Sequence, residues 1–339
     1  YSLGGFGVGT YDEYAKVESD RAEVTPLFEA GAISSQKMPA VLTLLGLKPD
    51  KDGWLKIFQM LLLCFGSCAI AFSVIFFIAY NWADMSRLSK FTLLESSIVF
   101  SVILYWRLAQ KGLAGRLALL VASLLVGALM AFFGQTYQTG ADAWQLFFYW
   151  ALFITPWVVI SQFSTLWLFW LSLLNLSLVL YFDIFHSVFG LFSDSNNSLF
   201  WCLFWFNTLA LIIWEMFSQK MVALTERWPQ RILAVISGWA ITTLVIYAIV
   251  DESENAFSPS ITWLVWICLF MWVYRRRCTD LFMLAGGCLS LIVVVITRLA
   301  MQIMETGEEG ALLFLSVLII AMGSGATYWL KQVHKEIES

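Results

Sequence analysis

Ten long runs of apolar residues constrain this sequence more than any other feature. An apolar run of about 18 or more residues with few charges is long enough to cross a bilayer as an α-helix. Only 13% of the 339 residues are charged, against about 25% in a soluble globular protein. The sequence therefore predicts an all-α, polytopic transmembrane helical bundle. The expected spans are about residues 57–80, 89–106, 115–133, 143–160, 165–181, 199–217, 231–250, 260–274, 280–300 and 311–330.

Two features of this span pattern leave alternatives open. The fourth and fifth spans are separated only by Ser161–Thr165, so one long broken helix is an alternative to two helices there. Ten spans also divide into two halves of five, which then have opposite orientations in the membrane. That arrangement is typical of inverted-repeat transporters, although the two halves share no convincing sequence similarity.

The basic residues predict how the spans are oriented. Loops on the cytoplasmic side of a membrane carry an excess of Lys and Arg. Here all the basic residues except Arg87, Lys90 and Arg298 fall on one side of the predicted spans, and the N-terminal segment lies on that side too. Loops on the other side are acidic, as at residues 251–254 and 305–309. We therefore expect both termini in the cytoplasm and the connection after the third span on the outer side.

The chain divides into three parts by composition. Residues 1–56 are predicted to be a cytoplasmic helical segment, 57–330 the transmembrane domain and 331–339 a cytoplasmic tail. Thr10–Glu13 has the spacing of a capping box, so a first helix is expected from about residue 11 until Gly31 stops it. A second short helix follows. Such a hairpin is too small for a core of its own and is expected to dock on something else.

Four short motifs occur in order along the first half of the chain. They are Leu27–Ser34, Ile78–Trp82, Gly134–Trp144 and Thr155–Trp157. With them, residues 25–180 resemble an uncharacterised prokaryotic family of predicted membrane proteins, known as domain of unknown function 2157. The resemblance implies a protein of the bacterial cytoplasmic (inner) membrane and no particular chemistry.

A compact polar stretch within the membrane domain, Gly134–Trp144, lies between the third and fourth spans. A purely structural interpretation has Gly134 ending the third span. Thr139 would then cap the fourth, with Asp142 in its first turn. Irregular polar segments at membrane depth also occur where they line a cavity or contact protein. The structural interpretation leaves three residues unexplained, namely Gln135, Tyr137 and Gln138.

Glu95 is an ionisable residue about six positions inside the second span. At about 1.5 Å per residue this is roughly 9 Å from the outer end of the helix. A charge at that depth is costly, and it marks a candidate functional site. Hydroxyl residues form a polar stripe beside it, namely Ser89, Thr92 and Ser96. The alternative is a structural salt bridge to Lys90, Arg87 or Arg298.

Several classes of function find no support in the sequence. No zinc-protease, P-loop, Rossmann or serine-nucleophile signature occurs. The six cysteines lie mostly inside apolar runs, where cysteine acts as a small apolar filler. Asp183 and His186 share a helix face without a third partner. A net charge of −4 gives no reason to expect nucleic acid as a partner. We therefore expect a protein that is not an enzyme and has no cofactor and no metal site.

Two functions remain as hypotheses. The first is a permease or channel for a small polar or charged solute. Its substrate-binding residues would be Glu95, Gln135, Tyr137, Gln138 and Asp142. The second is a non-catalytic membrane subunit or scaffold, whose partners are the lipid bilayer and another membrane protein or a second copy of the chain. A water-accessible cavity at these residues would favour the first, and dry packing with a free apolar face the second.

Overall fold

The computed structural model describes residues 51–81, 83–108, 112–189, 195–218, 227–251, 257–306 and 311–338, and all regular structure in these ranges is α-helical. Each of the ten helices is long and apolar enough to cross a membrane, which confirms the predicted fold class and span count. The helices are α1 Lys51–Tyr80, α2 Arg87–Leu108, α3 Leu113–Tyr137, α4 Ala143–Ser161, α5 Ser164–Phe189, α6 Ser195–Phe217, α7 Trp228–Val250, α8 Phe257–Arg276, α9 Leu281–Thr306 and α10 Ala311–Glu338.

Most helices extend beyond the apolar runs that predicted them. The largest extensions are in α5, which ends at Phe189 rather than near residue 181, and in α10, which ends at Glu338 rather than near residue 330. The alternative of one broken helix between the fourth and fifth spans is wrong, because Gln162 takes a left-handed conformation with φ of 46° and α5 starts afresh at Ser164. The predicted N-terminal hairpin lies in residues 1–50, outside the described residues.

The described residues form two compact units, one up to Leu180 and the other from Tyr181 onwards. We call them unit 1 and unit 2. Unit 1 is built around α3, which packs against α1, α2 and α4. Of the most apolar 18 residues of α3, 56% are buried, whereas the figure for α1 is 11%. Because its Ala, Gly and Ser residues are small, α3 lets its neighbours approach closely.

A tryptophan on α4 fixes that helix against α3. The indole of Trp150 covers Gly127 so closely that a Cβ on this glycine would overlap the ring. The indole N–H of Trp150 donates to the backbone carbonyl of Ser123 at 2.7 Å, one turn earlier on α3. On the next helix, Trp170 donates in the same way to the carbonyl of Ala151 at 3.0 Å. Each indole N–H thus gains a partner that lipid cannot supply.

Unit 2 is built around α7, which packs against α6, α8 and α9. Half of its most apolar 18 residues are buried. A tryptophan again covers a glycine of the central helix, since the Trp266 ring on α8 lies 3.1 Å from where a Cβ on Gly238 would stand. Hydroxyl groups link three helices, because Ser290 on α9 accepts from the indole of Trp263 at 2.9 Å and lies 2.6 Å from the hydroxyl of Thr242.

Candidate functional site

The polar connection between α3 and α4 differs from the sequence-based interpretation. Gly134 does not end the helix, because α3 continues to Tyr137 and the left-handed residue is Gln138, with φ of 46°. The backbone N–H groups of Gln138 and Thr139 both donate to the carbonyl of Gly134, which closes the end of the helix. The prediction of Gly134 as the helix-ending glycine was therefore wrong, since the αL position falls four residues later and is filled by glutamine.

The start of α4 also lies later than the capping-box spacing predicted. Asp142, rather than Thr139, is the residue that precedes the helix, and its side chain makes no capping hydrogen bond. The chain reverses through Gly140, with φ of 64°, before the helix begins. The Asp142 carboxylate, which is exposed, therefore remains available at the start of α4, where the helix dipole favours a negative charge.

Tyr137 has a packing role that the sequence did not reveal. Its ring lies 4.7 Å from that of Phe133 and 6.1 Å from that of Phe91 on α2. Phe91 in turn lies 4.5 Å from Phe132. These aromatic contacts tie the end of α3 to α2, at a point one turn before Glu95. Tyr137 is still 59% exposed, so its hydroxyl end extends beyond the cluster.

The structure thus separates the predicted site residues into two groups. The exposed ones at the turn are Gln135, Gln138 and Asp142. Glu95 lies on α2, one helical turn, or about 6 Å, along the axis from Phe91. The Phe91–Tyr137 contact places both groups at the same end of unit 1.

Glu95 points away from the core of its own unit. The buried face of α2 carries Lys90, Leu94 and Ser101, at the i, i+4 and i+11 spacing of one helix side. Glu95 is exposed, because five residues after Lys90 correspond to a rotation of about 140°. Within the described part of unit 1, no ion pair joins Glu95 to Lys90 or Arg87. Lys90 instead lies buried, with its amine 6.0 Å from the centre of the Phe132 ring.

The hydroxyl groups of the polar stripe are occupied by their own helix. Thr92 donates to the carbonyl of Leu88 at 2.9 Å, and Ser96 donates to that of Leu93 at 3.1 Å. Ser89 pairs with Ser86, whose hydroxyl also accepts the backbone N–H of Ser89 and so caps α2. Each of these hydroxyl groups therefore has a hydrogen-bond partner on α2 or at its cap. Glu95 is therefore the polar side chain of this stripe for which the described part of unit 1 shows no hydrogen bond.

A second polar cluster, in unit 2, was not predicted as a site. Tyr274 on α8 donates to the Glu215 carboxylate on α6 at 3.0 Å, and Arg227 lies 3.6 Å from the same oxygen. Burial alone would lower the pKa of Arg227, but the Glu215 carboxylate, together with Cys278 and Asp280, outweighs burial and raises that pKa above its ordinary value. The Arg227 guanidinium therefore stays charged at any physiological pH. The sequence signal that could have identified Glu215 is its position as an acidic residue near the end of an apolar run.

The same end of unit 2 holds a buried acid at the start of α9. One oxygen of Asp280 accepts the backbone N–H groups of Phe282 and Met283, which is an N-cap. The other oxygen is 3.1 Å from the Nε of Arg231 on α7. Asp280 is only 6% exposed, so the ion pair and the cap offset the cost of burying its charge. We assign this cluster a structural role, because each acid in it is occupied by groups of its own unit.

Comparison with known proteins agrees with the resemblance found in the sequence. The model of a family described as a predicted membrane protein, domain of unknown function 2157, matches residues 26–167. The match ends within α5, somewhat before residue 180, where the resemblance was expected to end. No curated protein and no solved structure matches the chain.

Proposed function

We propose that this protein is a non-catalytic permease or channel for a small polar or charged solute, which passes along the exposed, Glu95-bearing face of α2. A cation or a proton is the solute class that a carboxylate favours. The observation that carries the proposal is the setting of Glu95. Its carboxylate lies on a membrane-spanning helix, faces away from the core of unit 1 and has no ion pair in the described part of that unit.

Lipid alone is a poor neighbour for this face. Placing a charged side chain at the centre of a membrane helix costs about 2.5–3.5 kcal/mol on the insertion scale. Glu95 lies about two turns from the helix end, so its cost is lower than at the centre, but it remains positive. Water or a cation on this face removes that cost. A hydrated path along α2 therefore explains why an otherwise apolar helix carries a carboxylate here.

The α3–α4 turn supplies further groups of the same kind at the same end of unit 1. Gln135 and Gln138 are exposed amides that can both donate and accept hydrogen bonds, and Asp142 is an exposed carboxylate. A solute that loses part of its hydration shell needs such replacements. The contact of Tyr137 with Phe91 keeps the turn beside α2. We therefore propose that the turn forms the entrance to the path.

The proposal can be tested with the full-length chain in liposomes. Gradients of Na⁺, K⁺ or protons are imposed one at a time, and the flux of each is followed with an indicator dye inside the vesicles. We expect the wild-type chain to carry at least one of these ions. Glu95→Gln should abolish that flux at an unchanged protein level, because the amide keeps the shape and loses the charge.

Asp84→Asn is the matched control, since Asp84 is an exposed carboxylate in the connection between α1 and α2. It should leave the flux unchanged. Absence of flux for all three ions, or full flux in both Glu95→Gln and Asp142→Asn, would contradict the charged pathway. If Glu95→Gln instead lowers the amount of inserted protein, the carboxylate has a structural role.

A membrane scaffold is the second candidate, and one observation favours it. The most apolar 18 residues of α10 are only 6% buried, and those of α1 only 11%, so both helices present apolar surface. Another membrane protein or a second copy of this chain could cover these surfaces. A scaffold should migrate on a native gel, extracted under mild conditions, at a mass well above that of the single chain. A mass equal to one chain in its detergent micelle would contradict it.

We also propose that the protein lies in a bacterial inner membrane with both termini in the cytoplasm. The distribution of Lys and Arg supports this orientation. In a variant without the six native cysteines, Asn196→Cys should react with an impermeant thiol reagent in intact spheroplasts, and Ser339→Cys should not. The opposite labelling pattern would reverse the orientation.

A further inference from the structure

We propose that an open groove along α10 is a binding site for one anionic phospholipid, with the lipid phosphate at Lys331 and an acyl chain lying over Gly323. The groove has a volume of about 510 Å³. Its described lining consists of Ile320, Gly323, Ser324, Thr327, Tyr328 and Lys331. This inference does not depend on the proposed transport function, because the groove contains none of the residues assigned to the solute path.

The lining residues form a single face of the helix. Their spacing repeats at three and four positions, which places them in line along one side of α10. From Ile320 to Lys331 the helix rises by about 16 Å. This is about half of the roughly 30 Å hydrocarbon core, or the depth of one leaflet. The groove is therefore apolar at its deep end and cationic near the end of the span, as a phospholipid requires.

The opposite face of α10 is already occupied by its own unit. Val333 is fully buried there. Arg275 on α8 donates to the Glu336 carboxylate at 2.6 Å, and its guanidinium lies 5.8 Å from the centre of the Trp329 ring. Because Trp329, Val333 and Glu336 share this face, α10 is held with the groove turned away from α8. The groove is thus a surface presented by a fixed helix.

The polar end of the groove suits a phosphate. Lys331 is exposed and makes no ion pair within the described part of the chain, and the nearby acid Glu336 is occupied by Arg275. Tyr328, which is 67% exposed and lies three residues before Lys331, adds a hydroxyl group beside it. A lysine amine at a membrane surface attracts anionic headgroups. The tyrosine ring at the same depth is a common interfacial anchor.

The deep end of the groove suits an acyl chain. A Cβ placed on Gly323 would meet nothing within 4 Å, so apolar groups can approach the backbone there. The Thr327 hydroxyl donates to the carbonyl of Gly323 at 2.8 Å, so neither of these polar groups needs a partner from the ligand. Ile320 completes an apolar surface below the hydroxyl groups.

A second copy of the chain is a less suitable occupant of the same groove. Two copies insert into one membrane with the same orientation, so a symmetric contact between their α10 helices would be parallel. It would place Lys331 of one copy near Lys331 of the other, and like charges repel. A ligand with a negative headgroup pairs with this charge instead. The observations therefore favour an anionic lipid.

The test measures lipid binding to the purified full-length chain by native mass spectrometry and by thermal stability. Phosphatidylglycerol, phosphatidylcholine, inorganic phosphate and glycerol 3-phosphate are added separately. We expect phosphatidylglycerol to bind one-to-one and raise the melting temperature, and the other three to have little effect. Lys331→Gln should weaken phosphatidylglycerol binding about fivefold, the effect of one interfacial lysine.

Lys335→Gln is the control, because it removes the same charge one turn further along, outside the groove lining. It should leave one-to-one binding unchanged. Gly323→Leu, which fills the deep end without changing any charge, should abolish binding while the unliganded chain keeps its melting temperature. Equal losses in Lys331→Gln and Lys335→Gln, or equal binding of phosphatidylcholine, would overturn the site. Binding of phosphate or glycerol 3-phosphate as strong as that of the lipid would overturn the acyl-chain part.

Discussion

Units 1 and 2 share one packing feature, but they differ in the polar contacts that join their helices. In each unit a central helix carries a glycine that a tryptophan of the following helix covers, Gly127 under Trp150 and Gly238 under Trp266. In unit 1 the indole N–H then bonds a backbone carbonyl of the central helix. In unit 2 the helices are joined by side chains, through Ser290 in the middle and through ion pairs at one end. Close approach at a glycine is thus common to both units, and the polar contacts distinguish them.

The order of the helices differs as well. The central helix is the third of the five in unit 1 and the second of those that follow α5 in unit 2. An inverted repeat keeps the order of its elements. The two halves therefore do not correspond helix for helix in their packing, although each contributes five spans. The comparison shows that equal span numbers are a weak indication of internal symmetry.

Among the variants that test this comparison, Asp280→Ala should have the largest effect on stability. It removes the cap of α9 and the partner of Arg231 from a buried position, so we expect a loss of about 2–4 kcal/mol in the free energy of unfolding. Asp280→Asn, which keeps a capping oxygen but not the charge, should lose less. Both are measured by thermal unfolding in detergent. Equal stability of wild type and Asp280→Ala would show that ionic contacts are not what holds unit 2.

Gly127→Ala should have the next largest effect, about 1–3 kcal/mol, because the new methyl group forces the Trp150 ring away from α3. Gly238→Ala should cost less, since the ring stands 3.1 Å from the new carbon. The gain of up to about 1 kcal/mol from replacing glycine in a helix offsets part of it.

Gly286→Ala, where no atom lies within 4 Å of the new carbon, is the control for that helix propensity. It should be neutral or slightly stabilising. If Gly127→Ala behaves like Gly286→Ala, close packing at the tryptophan is not what orders unit 1.

Ser290→Ala should have a smaller effect, about 1–2 kcal/mol, because it leaves the buried indole N–H of Trp263 without its acceptor. Ser123→Ala should cost less still, since the Ser123 hydroxyl donates only to Leu119 of its own helix and the backbone acceptor of Trp150 remains. Similar losses in the two variants, measured by the same unfolding assay, would remove the proposed difference between units.

The span positions could be predicted from the sequence because a membrane helix must be apolar along its whole length. The predicted spans begin at the same residues as α4 and α10, although Thr139 was wrongly predicted as the cap of α4. The other described helices begin within several residues of their predicted spans. The ends were less certain, because α10 continues past Lys331 into polar sequence where hydropathy gives no signal. A helix in water beyond the membrane is held by contacts such as Arg275 with Glu336, which lie 61 residues apart.

The sequence could predict which residues form the candidate site, but not how their side chains are directed or packed. Glu95 was identified from its depth in an apolar run, and the structure adds its direction. The packing of Tyr137 against Phe91 could not be read from the sequence, because it depends on how α2 and α3 are rotated against each other. The left-handed residue was expected at Gly134 and occurs at Gln138. The position at which α3 ends therefore decides which residue is left-handed, against the usual preference of glycine for that conformation.

The two-residue connection between α4 and α5 has a consequence for how the chain enters the membrane. The connection consists of Gln162 and Phe163 only, which is too short for the two helices to separate. They are therefore expected to leave the translocon as one hairpin. From residue 117 to residue 219 the sequence contains no Lys or Arg. The hairpin therefore carries no basic residue to hold it against the cytoplasmic face during synthesis. Its direction of insertion is then set by neighbouring segments, with Arg116 made before it and Lys220 after it.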